Sequence, residues 1–262
     1  MDLGIRGRKA IVAGGSAGLG ASCARALAAD GVEVFVSARG EERLRQFVET
    51  TSRETGGVMH AVVADHGTEA GRAALLAACP EPDILVVSSS PAPLTDDYLK
   101  IDPQDHRDSL EINYIAPVEL MRSTLEGMAA RGFGRVVHIA TAGAKSPMEV
   151  RLRSGPPRSA LINFVHAISK RYIVNNVTVN NLLPGVFNTA ATSEHFARLA
   201  ARTGTTAEEI EFKTAEGFRV PAGRFGRMEE FGLFCATLCS ANASFITGQS
   251  IVIDGGAVTT LI

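Results

Sequence analysis

The stretch Ala13-Gly14-Gly15-Ser16-Ala17-Gly18-Leu19-Gly20 decides the fold of this chain of 262 residues. It follows a short apolar run, Ala10–Val12, and it leads into a pattern typical of a helix, Leu19–Ala29. Glycines between a strand and a helix permit a tight turn and let the backbone approach a phosphate closely. The free N–H groups at the start of that helix favour negative charge. The stretch therefore predicts the pyrophosphate-binding turn of a β-α-β unit.

Apolar runs of strand length alternate with longer helical patterns over the whole chain. Most of these runs are continuous, which is typical of strands buried on both faces of a parallel sheet. The predicted strands are Ala10–Val12, Val32–Ser37, Val58–Val63, Ile84–Val87, Arg135–Ile139, Val177–Leu183 and Ser250–Ile253. The predicted helices are Leu19–Ala29, Glu42–Thr55, Glu69–Ala78, Pro103–Arg131, Arg158–Ile173 and Glu229–Leu238. This order predicts one α/β domain, residues 1–262, with a doubly wound parallel sheet and helices on both faces.

One long stretch, about residues 186–227, interrupts this alternation. We expect two short helices in it, at Glu194–Ala201 and Ala207–Gly217. Long excursions in compact domains are commonly lids or binding loops, and this one follows the end of a strand, where ligands bind in open α/β sheets. The stretch is therefore predicted to be a substrate lid.

Composition excludes several classes of protein. The formal net charge of −2 gives no basic excess for nucleic acid. The polar start of the chain lacks the apolar core of a signal peptide, and no apolar run approaches the ~20 residues of a membrane span. The four cysteines have no histidine at zinc-ligand spacing, so we expect no metal site. We expect a cytoplasmic protein with a small-molecule substrate and with neither nucleic acid nor membrane as partner.

The spacing Gly14-x-x-x-Gly18-Leu19-Gly20 resembles the glycine motif of short-chain dehydrogenases/reductases, and the resemblance extends over essentially the whole chain. It implies a Rossmann-type fold and a nicotinamide dinucleotide. Asp65 matches the aspartate that meets the adenine ring in this family. Pro184-Gly185, followed by Thr189, resembles the loop on the nicotinamide side, and Asp254-Gly255-Gly256 resembles the ending of the family.

Two segments bear on the choice of cofactor. The second strand ends in Val36-Ser37-Ala38-Arg39, with no carboxylate to hold a ribose 2′-hydroxyl. Arg39 instead suits a 2′-phosphate, which favours NADP(H) over NAD(H), although it can also serve only to cap or solvate its loop. The Asn-Asn-Ala-Gly motif of the family is replaced by Val87-Ser88-Ser89-Ser90. Ser88 can still hydrogen-bond to a backbone or ribose, but the freedom of the glycine is lost.

The catalytic positions depart further from the family, which uses an asparagine, a serine and a Tyr-x-x-x-Lys motif. Asn113 matches the asparagine and Thr141 the serine. The tyrosine and lysine positions fall on Ser154 and Arg158, and the chain contains no Tyr-x-x-x-Lys. An aliphatic hydroxyl is far less acidic than a phenol, and arginine does not give up its proton, so Ser154 cannot inherit the role of the tyrosine. Arg158 can hold a ribose or an anionic substrate.

Other groups near these positions offer a replacement. Lys145 lies in the loop after Thr141, and we hypothesise that it or a bound water supplies the proton. His138 is expected to be a buried structural histidine. Ser154 precedes a helix expected to begin at Pro156 or Pro157, so its side chain can be a helix cap without chemistry.

Two functions remain open at this point. The first is an NADP(H)-dependent oxidoreductase that acts on a carbonyl or a secondary alcohol with a non-standard proton donor. The second is a non-redox lyase or isomerase, or an inactive cofactor-binding protein, on the same fold. The resemblance also implies a homotetramer or dimer that packs through the long helices Pro103–Arg131 and Arg158–Ile173.

Overall fold

A computed structural model of the chain describes residues 2–89 and 92–260. These residues form nine strands: β1 Lys9–Ala13, β2 Glu33–Ala38, β3 Met59–Val63, β4 Ile84–Ser88, β5 Gly134–Ile139, β6 Val177–Pro184, β7 Phe187–Asn188, β8 Gly226–Arg227 and β9 Ser250–Ile253. Seven of them form a parallel sheet in the order β3-β2-β1-β4-β5-β6-β9, and β7 pairs with β8. The predicted doubly wound sheet is confirmed, and each predicted strand matches to within one residue at either end.

Nine α-helices connect and flank these strands in the described part of the chain. They are α1 Gly18–Ala29, α2 Glu41–Thr55, α3 Glu69–Ala78, α4 Pro103–Leu110, α5 Ala116–Ala130, α6 Gly155–Tyr172, α7 Ala190–Thr203, α8 Ala207–Gly217 and α9 Met228–Cys239. Strand residues alternate between two apolar layers, because successive side chains of a strand point to opposite faces. Val12 packs with α1, α2 and α9 on one face, whereas Ile11 packs with α3, α5 and α6 on the other.

The strand order reverses direction between β1 and β4, which are neighbours in the sheet but distant in sequence. Helices from the two halves of the sheet diverge at such a point, and this leaves a crevice at the carboxyl ends of the strands. The turn after β1 and the segment after β4 therefore open into the same crevice. Several residues singled out in the sequence, among them Gly14, Ser88 and Thr141, lie at this edge of the sheet.

The predicted helix Pro103–Arg131 is not a continuous α-helix. α4 and α5 are joined by a π-helical segment, Glu111–Ile115, that contains Asn113. Pro117 in the first turn of α5 has no N–H to donate to the carbonyl of Asn113, so the regular pattern of hydrogen bonds cannot continue through this point. Segments of this kind occur frequently at functional sites.

The start of α6 also differs from the prediction. The helix begins at Gly155, before both prolines, and Ser154 takes the N-cap position without capping the helix through its side chain. The predicted short helices at Glu194–Ala201 and Ala207–Gly217 are present as α7 and α8. Over residues 2–89 and 92–260, no helix is both long and apolar enough to cross a bilayer.

Candidate active site

The glycine turn after β1 packs against the end of β4. Gly14 has a φ of +78°, and a Cβ on it would collide with the carbonyl oxygen of Ser88. A Cβ on Gly20 would collide with the carbonyl oxygen of Gly14. The N–H groups of Gly14 and Gly15 both donate to the carbonyl oxygen of Ser37 at 3.1 Å, which ties the turn to β2. The turn therefore packs so closely against its neighbours that only glycine fits at Gly14 and Gly20.

The amino end of α1 opens from this turn. Ala17 occupies its N-cap position and has no side-chain acceptor, and the first turn of the helix, with Gly18, Leu19 and Gly20, contains no acidic residue. The first N–H groups of a helix need partners and carry the positive end of its dipole. Their arrangement here suits the pyrophosphate of a dinucleotide.

Three polar side chains surround the ends of β2 and β3. The Arg39 side chain is 73% exposed, and its Nη1 lies 4.0 Å from Oδ2 of Asp65. The other carboxylate oxygen of Asp65 accepts the N–H of Gly67 at 2.9 Å. Arg43 Nη2 donates to Oγ of Ser16 at 3.4 Å, so a second cation lies against the glycine turn. Sequence reasoning missed Arg43, although its position four residues after Arg39, in the first turn of α2, was a signal.

His66 is a second residue that sequence reasoning missed. Its side chain is 7% exposed, and its ring lies beside Gly14. Nε2 is fully buried and has no hydrogen-bond partner within the described residues. Burial lowers the pKa of His66, so the ring is neutral and retains one unused polar atom next to the turn.

The serine segment after β4 is anchored on two sides. Ser88 is the last residue of β4, and Ser90 lies outside the described residues. Ser89 Oγ donates to the carbonyl oxygen of Ile112, in the π-helical segment, at 3.0 Å. The carbonyl oxygen of Ser89 accepts a hydrogen bond from Nη2 of Arg158 at 3.3 Å. The segment thus connects the cofactor side of the crevice with α6.

Asn113 lies in the π-helical segment, and Thr141 follows the carboxyl end of β5. Asn113 is buried, its Nδ2 donates to the carbonyl oxygen of Ser109 at 3.0 Å, and its Oδ1 has no partner among the residues that the structure describes. Thr141 follows β5, and its Oγ1 accepts the N–H of Gly143 at 3.2 Å. The hydroxyl hydrogen of Thr141 is not used in that bond, so it can be donated to a ligand.

Ser154 and Arg158 form a buried pair. Nη1 of Arg158 donates to Oγ of Ser154 and, at 3.3 Å, to its carbonyl oxygen. The capping role considered for Ser154 is therefore wrong, because its side chain turns to the guanidinium instead of the helix N–H groups. Burial, with a contribution from the charge of Arg151, lowers the pKa of Arg158 to about 10.

Lys145 faces a different space. A cavity of about 370 Å³ is lined by Ala144, Lys145, Ser159, Ile162, Asn163, His166, Leu183 and Ser250. As far as residues 2–89 and 92–260 show, its lining includes none of Asn113, Thr141 and Arg158. Lys145 therefore lines a cavity together with residues of α6 and β6, and its role as proton source stays a prediction.

His138 is fully buried on β5, as expected. Its Nδ1 and Oδ1 of Asn181 on β6 are 3.0 Å apart. Burial lowers its pKa to about 4, the hydrogen bond to Asn181 opposes this shift, and the charge of Arg158 adds to it. The imidazole is neutral near pH 7 and bonded to the sheet.

The loop after β6 completes the edge. Pro184 ends the strand, and the N–H of Gly185 donates to the carbonyl oxygen of Ile253 at 2.9 Å. A Cβ on Gly185 would lie 2.6 Å from Cβ of Asp254, so this crossing also requires glycine. Oγ1 of Thr189 accepts the N–H of Thr192 at 3.1 Å and caps α7. The loop is therefore fixed at both ends.

Comparison with protein families supports one assignment over most of the chain. A family described as enoyl-(acyl carrier protein) reductase matches residues 13–258. Among curated proteins, an uncharacterized oxidoreductase, YvaG, of Bacillus subtilis is 29% identical over 267 residues and covers 100% of both chains. Dehydrogenase/reductase SDR family member 4 of Homo sapiens is 28% identical, over 98% of this chain and 90% of its own.

Solved structures agree with this assignment. L-sorbose reductase from Gluconobacter frateurii, in complex with NADPH and L-sorbose, superposes with a TM-score of 0.90 at 27% identity over 100% of both chains. A 3-oxoacyl-(acyl-carrier-protein) reductase from Agrobacterium tumefaciens C58 with NADP bound superposes with a TM-score of 0.84 at 27% identity, over 97% of this chain and 95% of its own.

Proposed function

Because this chain belongs to the short-chain dehydrogenase/reductase family, we propose that it is an NADP(H)-dependent oxidoreductase that acts on a carbonyl compound or a secondary alcohol. The glycine turn carries this proposal: Gly14 and Gly20 leave no room for side chains, and the helix that follows presents free N–H groups. The similar reductases with NADPH or NADP bound support the same cofactor here.

Three regions of the crevice would hold the cofactor. The pyrophosphate fits the amino end of α1, at Gly18, Leu19 and Gly20. The 2′-phosphate fits Arg39 together with Arg43 and Ser16, because Arg43 contacts Ser16 in the glycine turn and Arg39 follows the end of β2 beside Asp65. The remaining contacts are assigned to Asp65 at the adenine, Ser88 at a ribose, and Pro184, Gly185 and Thr189 at the nicotinamide.

The residues beyond the nicotinamide would orient the substrate. NADPH, when bound, supplies a hydride to a carbonyl carbon. Thr141 can donate its hydroxyl hydrogen to the carbonyl oxygen, and this bond strengthens as negative charge develops there. Arg158 fixes the hydroxyl of Ser154 near the same edge. Neither group is an acid near neutral pH, so the proton comes from a non-standard donor, a bound water or Lys145.

The stretch of about residues 186–227 is proposed as the substrate lid. A separate apolar cluster, with Phe196, Ile210 and Phe225, holds α7 against α8. Glu211 on α8 accepts the N–H of Phe225 at 2.9 Å and a hydrogen bond from Arg227 at 2.8 Å. The two helices are therefore bound to each other and to β8, which permits them to act as one unit.

A homo-oligomer, dimer or tetramer, remains part of the proposal. The two helices expected at its interface, α5 and α6, lie on one face of the sheet and share its apolar layer. Ile115, just before α5, is 41% exposed despite its apolar side chain. Sedimentation of the purified chain at several concentrations measures the state directly.

The first test is a fluorescence titration of the purified protein with NADPH and, separately, with NADH. We expect NADPH to bind at least tenfold more tightly, because only the 2′-phosphate meets Arg39 and Arg43. Oxidation of NADPH is then followed by absorbance with a panel of ketones. Absence of binding by either nucleotide would refute the proposal.

A non-redox activity on the same fold is the second candidate. It is favoured by the Ser154–Arg158 pair, which contains no group able to take the acid role of a phenol near neutral pH. This candidate predicts nucleotide binding without any oxidation of NADPH, whereas the first predicts both.

A further inference from the structure

Arg158 carries a positive charge in the protein interior without a carboxylate partner. Its side chain is 4% exposed, and its Nε has no hydrogen-bond partner within the described residues. No ion pair involves it anywhere in residues 2–89 and 92–260. An unpaired buried charge is destabilising, so a counter-ion is expected where the group functions.

The segment around Arg158 is basic and offers no internal counter-ion. Residues 141–158 contain four cations, Lys145, Arg151, Arg153 and Arg158, and one acidic residue, Glu149. Arg153 is already neutralised by a hydrogen-bonded ion pair with Asp105. Arg151 is half-buried, and its charge acts on Arg158. The local field therefore favours an incoming anion.

The position of the guanidinium places this charge inside the crevice. Nη2 reaches the carbonyl oxygen of Ser89, immediately beyond β4, at 3.3 Å. Ser89 is half-buried, whereas Ser154 is buried, so Nη2 contacts the more exposed of the two partners of the guanidinium. Nη2 has a second N–H, which no hydrogen bond uses within residues 2–89 and 92–260. A ligand at the carboxyl ends of β4 and β5 can accept it.

We propose that the substrate of this protein carries a carboxylate and that Arg158 binds it. The inference rests on the proposed oxidoreductase function and narrows its substrate class to oxo acids or the corresponding hydroxy acids. A carboxylate matches the site in charge, because one buried guanidinium compensates one negative charge. A phosphate dianion would require a second buried cation, and Arg151 is only half-buried.

The test compares acids with their neutral methyl esters by isothermal titration calorimetry, with and without saturating NADP⁺. The probes are pyruvate, acetoacetate and benzoylformate, each paired with its methyl ester, and dihydroxyacetone phosphate paired with dihydroxyacetone. NADP⁺ cannot reduce these compounds, so binding is measured without turnover. We expect at least one acid to bind at least tenfold more tightly than its ester.

Two variants assign the preference to Arg158. Arg158→Gln should abolish the ratio of acid to ester affinity, and Arg158→Lys should retain part of it, because the charge remains without the planar fork. Arg53→Gln, which removes an exposed cation on α2, is the matched control and should leave the ratio unchanged. A merely structural role of Arg158 would weaken acid and ester alike.

Three results would overturn the inference: equal affinity of acids and esters, a ratio that survives Arg158→Gln, or a preference for dihydroxyacetone phosphate over every carboxylate. These results are separable from failure of the proposed function. If NADPH binds and is oxidised by neutral ketones but acids show no preference, only the inference fails. If NADPH does not bind, the proposed function fails, and the titration without NADP⁺ still decides whether Arg158 binds carboxylates.

Discussion

Two buried arginines lie near opposite ends of β5, and they differ in how their hydrogen bonds are satisfied. Arg135, near the amino end, is fully buried and donates to the carbonyl oxygens of Ser240, Gly134 and Asn176 at 2.8 to 2.9 Å. Its guanidinium also lies 4.3 Å from the ring centroid of Phe133. Arg158, at the carboxyl end, donates to Oγ of Ser154 and to two carbonyl oxygens at 3.3 Å, and its Nε is unpaired within the described residues.

Both side chains are buried, and burial lowers the pKa of each arginine to about 10. The difference is therefore in the partners. At the amino end the protein itself supplies the acceptors, and the arginine joins β5 to the end of α9. At the carboxyl end, the protein does not supply an acceptor for every N–H of Arg158 within the described residues. This is expected of a group that binds a ligand.

The largest effect is expected from Arg135→Met. Removal of the guanidinium deletes its hydrogen bonds to the carbonyl oxygens of Ser240, Gly134 and Asn176, and hydrogen bonds to charged groups are individually strong. We expect a loss of about 4 kcal/mol in the free energy of unfolding, measured by urea denaturation. NADPH affinity of the folded fraction should not change. A loss below about 1 kcal/mol would contradict the structural role assigned to Arg135.

His138, in the middle of β5, should make the stability of the protein depend on pH. The pKa of His138 falls from its ordinary value of 6.5 to about 4, so the unfolded state takes up a proton in this range and the folded state does not. Stability should therefore fall as the pH falls from about 6.5 to about 4, by on the order of 3 kcal/mol from this group. Unfolding of His138→Gln, followed across the same range, should show a smaller fall, and equal slopes would contradict the assignment.

Arg39→Gln and Arg43→Gln extend the comparison to solvated cations at the same edge. Each should weaken NADPH binding about tenfold, or about 1.4 kcal/mol, and leave NADH binding unchanged. The effect is moderate because Arg39 is exposed and screened by water. If the affinities for NADPH and NADH fell equally, the two arginines would not bind the 2′-phosphate. Arg53→Gln again serves as the control.

The smallest change in stability is expected from Arg158→Met. Replacing an unsatisfied buried charge by an apolar side chain of similar length is neutral or stabilising, by up to about 1 kcal/mol here. The same substitution at Arg135 is destabilising, so urea denaturation of the two variants is a matched measurement. If Arg158→Met loses as much stability as Arg135→Met, the two arginines have the same structural role.

The fold could be predicted from the sequence because the patterns that indicate it are local. The glycine turn and the continuous apolar runs require only neighbouring residues, and each predicted strand agrees with the structure to within one residue. The break in Pro103–Arg131 could also have been anticipated, because Pro117 has no N–H to continue the helix.

The site was less predictable because it depends on contacts distant in sequence. Arg43 reaches Ser16, and His66 lies beside Gly14, only once β2 and β3 are packed next to β1. The direction of the Ser154 side chain follows from the burial of Arg158, which no periodicity reveals. Lys145 follows the short turn after β5, and only the packed structure shows that it lines a cavity with residues of α6.

Transfer of deuterium tests the oxidoreductase assignment most directly. The protein is incubated with NADPH that carries deuterium at both positions of nicotinamide C4, and the tightest-binding oxo acid and a panel of neutral ketones are offered in parallel. The alcohol products are analysed by mass spectrometry. We predict a hydroxy acid that contains one deuterium atom, formed only with protein present and lost in Arg158→Gln. Tight binding of NADPH with no deuterium in any product would contradict this prediction and would make this chain a non-redox member of its family.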